Sequence, residues 1–273
     1  MKNLILLFLI CLATVVMNAQ LNFLTGEIAY NKVKSRFQDD STHILTIQTK
    51  ITGRDSISII FLLPVEEQKE VQKFGSGIKE VLDLIDSNRI SENVVFVQPE
   101  FTTIPWYGDH PADTQTCQEK YLIQVINQAT LAFPDHKIKL YLLGFSKSGW
   151  GCMSVLFNYP YLIDGVFIWD APLSTGFIKE WDMDQVFRDK RYFDAQYRLT
   201  SRICNSAVLI RNKTIIIGGF DLFKNQTDTF LKYMDANKIH YHYNPSLTYK
   251  HEWNKEWILS LMRYKYGLVR NLK

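Results

Sequence analysis

Leu140-Tyr141-Leu142-Leu143-Gly144-Phe145-Ser146-Lys147-Ser148-Gly149-Trp150-Gly151 is the stretch that decides how this chain is read. Its first four residues are a short apolar run stopped by glycine, the pattern of a buried strand. Gly144 to Ser148 then form a small-x-Ser-x-small turn, and a helical pattern follows. A serine in that strand–turn–helix setting sits on a sharp, strained bend that lifts its Oγ off the C-terminal edge of a sheet. Side chains two positions to either side would collide there, so both must be small. Gly144 meets that demand in full, Ser148 less so. The helix beyond points its N-terminus at the serine and favours negative charge developing beside it. A Gly/Ser-rich turn of this kind can also cradle a phosphate, but the extra glycines and the Gly-Lys-Ser/Thr ending of a P-loop are absent. Ser146 is the candidate nucleophile; Ser148 is the rival hydroxyl, standing in the place of the second small residue.

Working outward, strand and helix patterns alternate. The spacing predicts strands at 43–49 (as an edge strand), 56–63, 94–97, 138–143, 166–169, 214–217 and 239–243. It predicts helices over 69–85, 117–133, 149–157, 223–236 and 253–264. Such alternation implies an α/β fold with a mostly parallel central sheet and helices on both faces. Residues 99–114 carry three prolines and no period, so they form a loop. Residues 171–212 mix charges and aromatics without a clean period and read as a partly helical insertion that shapes one wall of the site.

The bulk composition agrees. With 47% hydrophobic and 22% charged residues in 273, the chain is an ordinary globular protein, with residues 20–273 read as one domain. A net charge of +3 without a dense Lys/Arg block gives no electrostatic footprint for nucleic acid. Lys2, the apolar run Leu4 to Met17 and the small Ala19 read as a signal peptide over residues 1–19, cleaved after Ala19. Ile10 before Cys11 argues against a lipoprotein signal. The expectation is export to the periplasm or beyond, with no stable membrane insertion after cleavage. Cys117, Cys152 and Cys204 then remain, an odd number that defines no disulfide framework. No His/Cys/Asp cluster has metal-ligand spacing, so neither a metal nor a cofactor is expected.

A serine hydroxyl needs a base, and the base an orienting acid. On a strand–turn–helix nucleophile of this type the chain order is Ser, then Asp or Glu, then His. His240 and His242 alternate within a predicted strand. His251 lies in the loop before the last helix, where the base belongs. The acid is expected after the penultimate strand, where Ile217-Gly218-Gly219-Phe220-Asp221 places Asp221. Asp170, after the strand following the nucleophile, is the main alternative, with Asp228 behind it. The oxyanion donors are expected to be the backbone N–H of Lys147 and, from the loop after the 56–63 strand, that of Val65.

With these residues assembled, the sequence resembles bacterial α/β hydrolases related at a distance to the esterase D and feruloyl-esterase group. The resemblance spans roughly 40–265. It rests on Leu62-Leu63-Pro64-Val65-Glu66, Pro105-Trp106-Tyr107-Gly108-Asp109-His110-Pro111, Gly144 to Gly151, Trp169-Asp170-Ala171-Pro172-Leu173, and His251-Glu252-Trp253 with Trp257. It implies an esterase-like hydrolase and supports Ser146 and His251. The His-Gly-Gly common at the oxyanion loop of esterases is replaced here by Pro64-Val65-Glu66. Trp106, Tyr107, Asp109, His110 and Trp150 are candidate substrate contacts, because the 99–114 loop follows a strand's C-terminal end and overhangs the expected site. The aromatic loop and the signal point to a small-molecule or polysaccharide ester, hydrolysed through an acyl-enzyme. Two other readings compete: an inactive hydrolase-fold carbohydrate-binding protein, and a serine peptidase of the same fold.

Overall fold

The computed structural model describes residues 20–53, 56–68, 73–219, 222–265 and 267–270. The expected signal peptide at 1–19 and the candidate acid Asp221 lie outside the described residues.

The chain runs β1 (Ala29–Val33), β2 (Thr42–Gln48), β3 (Ile57–Leu62), α1 (Gly77–Asp86), β4 (Val94–Pro99), α2 (Gln118–Leu131), β5 (Ile138–Phe145), α3 (Ser146–Asn158) and β6 (Gly165–Trp169). Three short helices follow, α4 (Met183–Phe187), α5 (Lys190–Gln196) and α6 (Leu199–Ile210). The chain closes with β7 (Thr214–Gly218), α7 (Lys224–Ala236), β8 (His242–Asn244) and α8 (Lys255–Met262). The eight strands form one sheet in the order β1-β2-β4-β3-β5-β6-β7-β8. β2 pairs antiparallel with β1 and with β4, and the other neighbours are parallel.

Sheet alternation divides the core in two. β3 sends Ile57, Ile59 and Phe61 into a cluster with Tyr121, Leu122 and Val125 of α2 and Val155 and Leu156 of α3. Its Ile60 and Leu62 join Ile78 and Val81 of α1 and Trp257 and Ile258 of α8 on the other face. Each such side chain removed from water contributes about 1.5–3 kcal/mol, so both faces are held firmly. The chain lays β4 to one side of β3 and then places β5 on the other. This reversal opens a crevice at the strands' C-terminal ends, where ligands bind in open α/β sheets. Ser146 stands at the end of β5, beside it.

Three local expectations change. The strand at 42–48 is not an edge strand, because Ala29–Val33 pairs along it and buries alternate residues. That covering strand, Ala-Tyr-Asn-Lys-Val, has too few apolar residues to announce itself. The helix expected over 69–85 begins at Gly77 in the described part, with Lys73 and Phe74 in a turn before it. The last strand is short, His242–Asn244, and leaves His240 outside it.

Candidate functional site

The nucleophile turn is built by close packing. Ser146 has φ 52° at the first position of α3, a left-handed conformation that costs an L-residue of order 1–3 kcal/mol. A Cβ on Gly144 would lie 2.8 Å from the Ser148 backbone, so glycine is obligatory there. Ser148 is tolerated because its Oγ closes on the turn. It donates to the Phe145 carbonyl at 2.8 Å and accepts from the Phe145 N–H at 3.1 Å. Ser148 is fully buried, which leaves Ser146 as the hydroxyl facing outward. Among the described residues the Ser146 hydroxyl has no hydrogen-bond partner and lines an open cleft.

The Ser146 N–H donates to the Asp170 carbonyl at 3.1 Å, so the turn is fastened to the end of β6. Asp170 is itself left-handed, with φ 40°, and its N–H donates to the Gly218 carbonyl at 2.8 Å. Its buried carboxylate is fully used. Oδ2 meets His251 Nδ1 at 2.8 Å, and Oδ1 accepts the Phe223 N–H at 3.0 Å. The His251 loop is anchored by two hydrogen bonds just after the histidine. The Trp253 N–H donates to the Phe74 carbonyl, and Trp257 Nε1 donates to the Glu252 carbonyl at 2.9 Å. The imidazole lies among Phe145, Phe223, Trp169 and Phe74, with ring centroids 5.2 to 6.4 Å away. Packing and the carboxylate thus fix its plane and leave Nε2 as its other polar atom. His242 is exposed against Tyr264, and His240 is exposed as well.

Beside Ser146 lies a cleft of about 230 Å³ lined by Ile104, Trp106, Ser146, Lys147, Pro172, Trp181, Asp182 and Phe223. Trp106 stacks on Trp181 at 6.1 Å and donates its Nε1 to the Trp181 carbonyl at 2.8 Å. Trp181 and Asp182 come from the segment between β6 and β7, so that segment supplies one wall. Trp181 and Phe223 were not singled out in the sequence. The only signal for Trp181 was an aromatic residue in an insertion, which is weak.

The other residues proposed as substrate contacts sit elsewhere. Trp150 is fully buried, stacked on Phe193 at 5.9 Å and edge-on to Trp106 and Phe187. Four residues along α3 from Ser146, it faces the core under the insertion. Tyr107 is also fully buried. Asp109 pairs with Lys120 at 3.3 Å and accepts the Lys120 N–H. His110 Nδ1 accepts the N–H groups of Ala112 and Asp113. Asp109 thus ties the loop to the start of α2 and His110 braces the loop itself, and neither lines the cleft. Cys117, Cys152 and Cys204 are unbridged. Among the described residues no group of three or more His, Cys, Asp or Glu is placed to hold a metal ion, and no helix is long and apolar enough to cross a membrane.

No protein family's sequence profile matches this chain, and no curated protein matches it by sequence. Solved structures do. Mycobacterium tuberculosis MPT51 (FbpC1) superposes with a TM-score of 0.66 at 9% identity, covering 89% of this chain and 99% of its own. The S-formylglutathione hydrolase of Agrobacterium tumefaciens gives 0.64 at 12% identity over 92% and 97%. FphF, a fluorophosphonate-binding serine hydrolase of Staphylococcus aureus, gives 0.66 at 9% identity over 88% and 98%. The chain has the α/β-hydrolase fold. At these identities the likeness speaks to fold alone, and the chemistry must be argued from the site.

Proposed function

We propose that this α/β-hydrolase-fold chain is a serine hydrolase of carboxylic esters, with Ser146 as nucleophile, His251 as base and Asp170 as the acid that orients it. The observation that carries the reading is the 2.8 Å contact between His251 Nδ1 and the buried Asp170 carboxylate, on the peptide that also holds the Ser146 turn. Asp170 takes the role first sought at Asp221, because its carboxylate already holds the imidazole on the side away from Nε2.

In this reading Ser146 Oγ attacks the acyl carbon as its proton passes to His251 Nε2, which requires the two atoms to close to hydrogen-bond reach. The Oγ–C bond forms, and the carbonyl oxygen becomes an oxyanion facing the N–H groups of Val65 and Lys147. Lys147 is the second residue of α3, where first-turn amides point out of the helix end. Collapse breaks the ester C–O bond, and His251 returns the proton to the departing alcohol. Water, deprotonated by His251, then releases the acid and restores Ser146. Asp170 keeps its charge throughout and stabilises the imidazolium.

The aromatic wall of Trp106, Trp181 and Phe223 supports an apolar acyl group in the cleft. Residues 1–19 are read as a signal peptide, so the mature exported chain begins at Gln20, which N-terminal mass spectrometry of secreted protein checks. A fluorophosphonate probe is expected to label the wild type covalently and to spare Ser146→Ala. Equal labelling of both ends the proposal. Labelling with no turnover of any p-nitrophenyl acyl ester would favour the binding-protein reading, and turnover of peptide amides alone would favour a peptidase.

A further inference from the structure

Tyr107 is a costly residue to place. It is fully buried and adopts φ 52°. Its N–H and that of Trp106 both donate to Gln118 Oε1, at 2.9 and 2.8 Å. Gln118 Nε2 is fixed in turn by Thr103 Oγ1 and the Ile104 carbonyl, at 3.0 and 2.8 Å. The Tyr107 ring meets Phe101 edge-on at 5.3 Å and lies so close to α3 that a Cβ on Gly151 would come 2.3 Å from its Cδ2. A side chain held this firmly has its hydroxyl at one point in space. There it donates to the Pro64 carbonyl.

The Pro64 carbonyl and the Val65 N–H belong to one peptide unit. That unit is planar and trans, so the N–H points opposite to the carbonyl. Fixing one therefore aims the other. Val65 is buried, yet among the described residues nothing accepts its N–H. An N–H without a protein partner at a buried residue is a donor left available to something outside the chain.

We propose that Tyr107 is a positioning residue for the oxyanion site: its hydroxyl, acting through the Pro64 carbonyl, holds the Val65 N–H in line for the charge that develops during acyl transfer. This rests on the serine-hydrolase reading above. It also answers why Pro64-Val65-Glu66 can stand where esterases often carry His-Gly-Gly. Glycines allow a loop to turn a donor inward, whereas here a phenol clamps a stiffer loop from behind. Burial pushes the Tyr107 phenol well above its ordinary range, so it remains protonated and donating at any working pH.

The test is Tyr107→Phe, with active sites counted by fluorophosphonate titration and turnover of p-nitrophenyl acetate measured per site. A loosened donor costs less than a lost one, which costs about 10²–10³ in rate. The expected result is a roughly 10- to 100-fold fall in kcat with KM little changed. Affinity for a trifluoromethyl ketone, whose adduct carries the oxyanion, should fall by the same factor. Tyr107→p-aminophenylalanine keeps a donor on the same ring and should restore most of kcat; it also decides the matter should the Phe variant not fold. A Phe variant with wild-type kcat per site and unchanged ketone affinity overturns the proposal, as does a folded p-amino variant no better than Phe. If Ser146→Ala turns over substrate like the wild type, the hydrolase reading itself has failed, a different outcome from a Tyr107 effect that is missing.

Discussion

Asp170→Asn is the perturbation that bears hardest on the proposed mechanism, and the structure dictates how the new amide must sit. Asp170 Oδ1 accepts the Phe223 N–H at 3.0 Å. In the variant that position must still be an oxygen, since an NH2 there would face another donor. The amide nitrogen is then left facing His251 Nδ1, where the carboxylate Oδ2 stood at 2.8 Å. It donates to Nδ1, so the imidazole proton moves to Nε2, and the atom needed to accept the Ser146 proton is occupied. The charge is lost as well. For a carboxylate and an imidazolium about 4 Å apart at an effective dielectric near 20, the attraction is about 4 kcal/mol. At about 1.4 kcal/mol per decade, this is about 10³ in rate, and a wrong tautomer takes comparable serine triads to about 10⁴. The assay is kcat/KM on p-nitrophenyl acetate, with circular dichroism and Tm to establish that the variant is folded. A loss of about 10³ or more is expected. Activity within about tenfold of wild type refutes the reasoning, and Asp221→Asn, prepared in parallel, would then be the variant to show the loss.

Other consequences follow from single contacts. Gly151→Ala drives a methyl into the Tyr107 ring, so it should destabilise by about 1–3 kcal/mol, read as a fall in Tm of several degrees; an unchanged Tm would mean that the ring can move aside. Trp181→Ala removes one wall of the cleft, and the preference for butanoyl over acetyl p-nitrophenyl esters should rise roughly tenfold; an unchanged ratio would place the acyl group elsewhere. Glu119 is buried between α2 and α3, where both its oxygens accept from Asn158 Nδ2. Burial, reinforced by Asp109, raises its pKa from 4.5 to about 8. The folded chain thus holds a proton that the unfolded chain releases above its ordinary range, and stability contributed by this group is lost as pH rises toward 8. Glu119→Gln should flatten Tm against pH from about 5 to 8; identical slopes in both proteins would exclude Glu119 as the source.

The site was partly legible from local sequence. The strand–turn–helix around Ser146 is a local object: the apolar run, the glycine and the helical period are contiguous, so the strained serine could be read without knowing the sheet. His251 could be proposed from sequence too, because its place in a loop between a strand and the last helix is a matter of chain order. The acid was not. Asp170 and Asp221 both follow strands and both come between the serine and the histidine in sequence. Among the described residues it is Asp170 whose carboxylate meets the imidazole. β6 lies directly beside β5, and its end carries Asp170 under the His251 ring, already bonded to the Ser146 amide.

The same division runs through the rest of the chain. By itself the sequence determined the α/β class and the strand–turn–helix around Ser146, and it offered His251 as the candidate base, because each is encoded in residues close together or in their order. Tertiary structure decided what depends on distant segments meeting. It buried Trp150 and Tyr107, which sequence position alone had offered as substrate contacts, because helix rotation and loop packing turn them inward. It tied Asp109 to Lys120 at the start of α2 and set His110 to work inside its own loop. It brought Trp181, from the segment after β6, against Trp106 to form the cleft wall, a pairing across 75 residues that no local pattern announces. Ser148 shows both levels at once: its small size was legible, but the two hydrogen bonds that let a serine stand there exist only once the turn has closed.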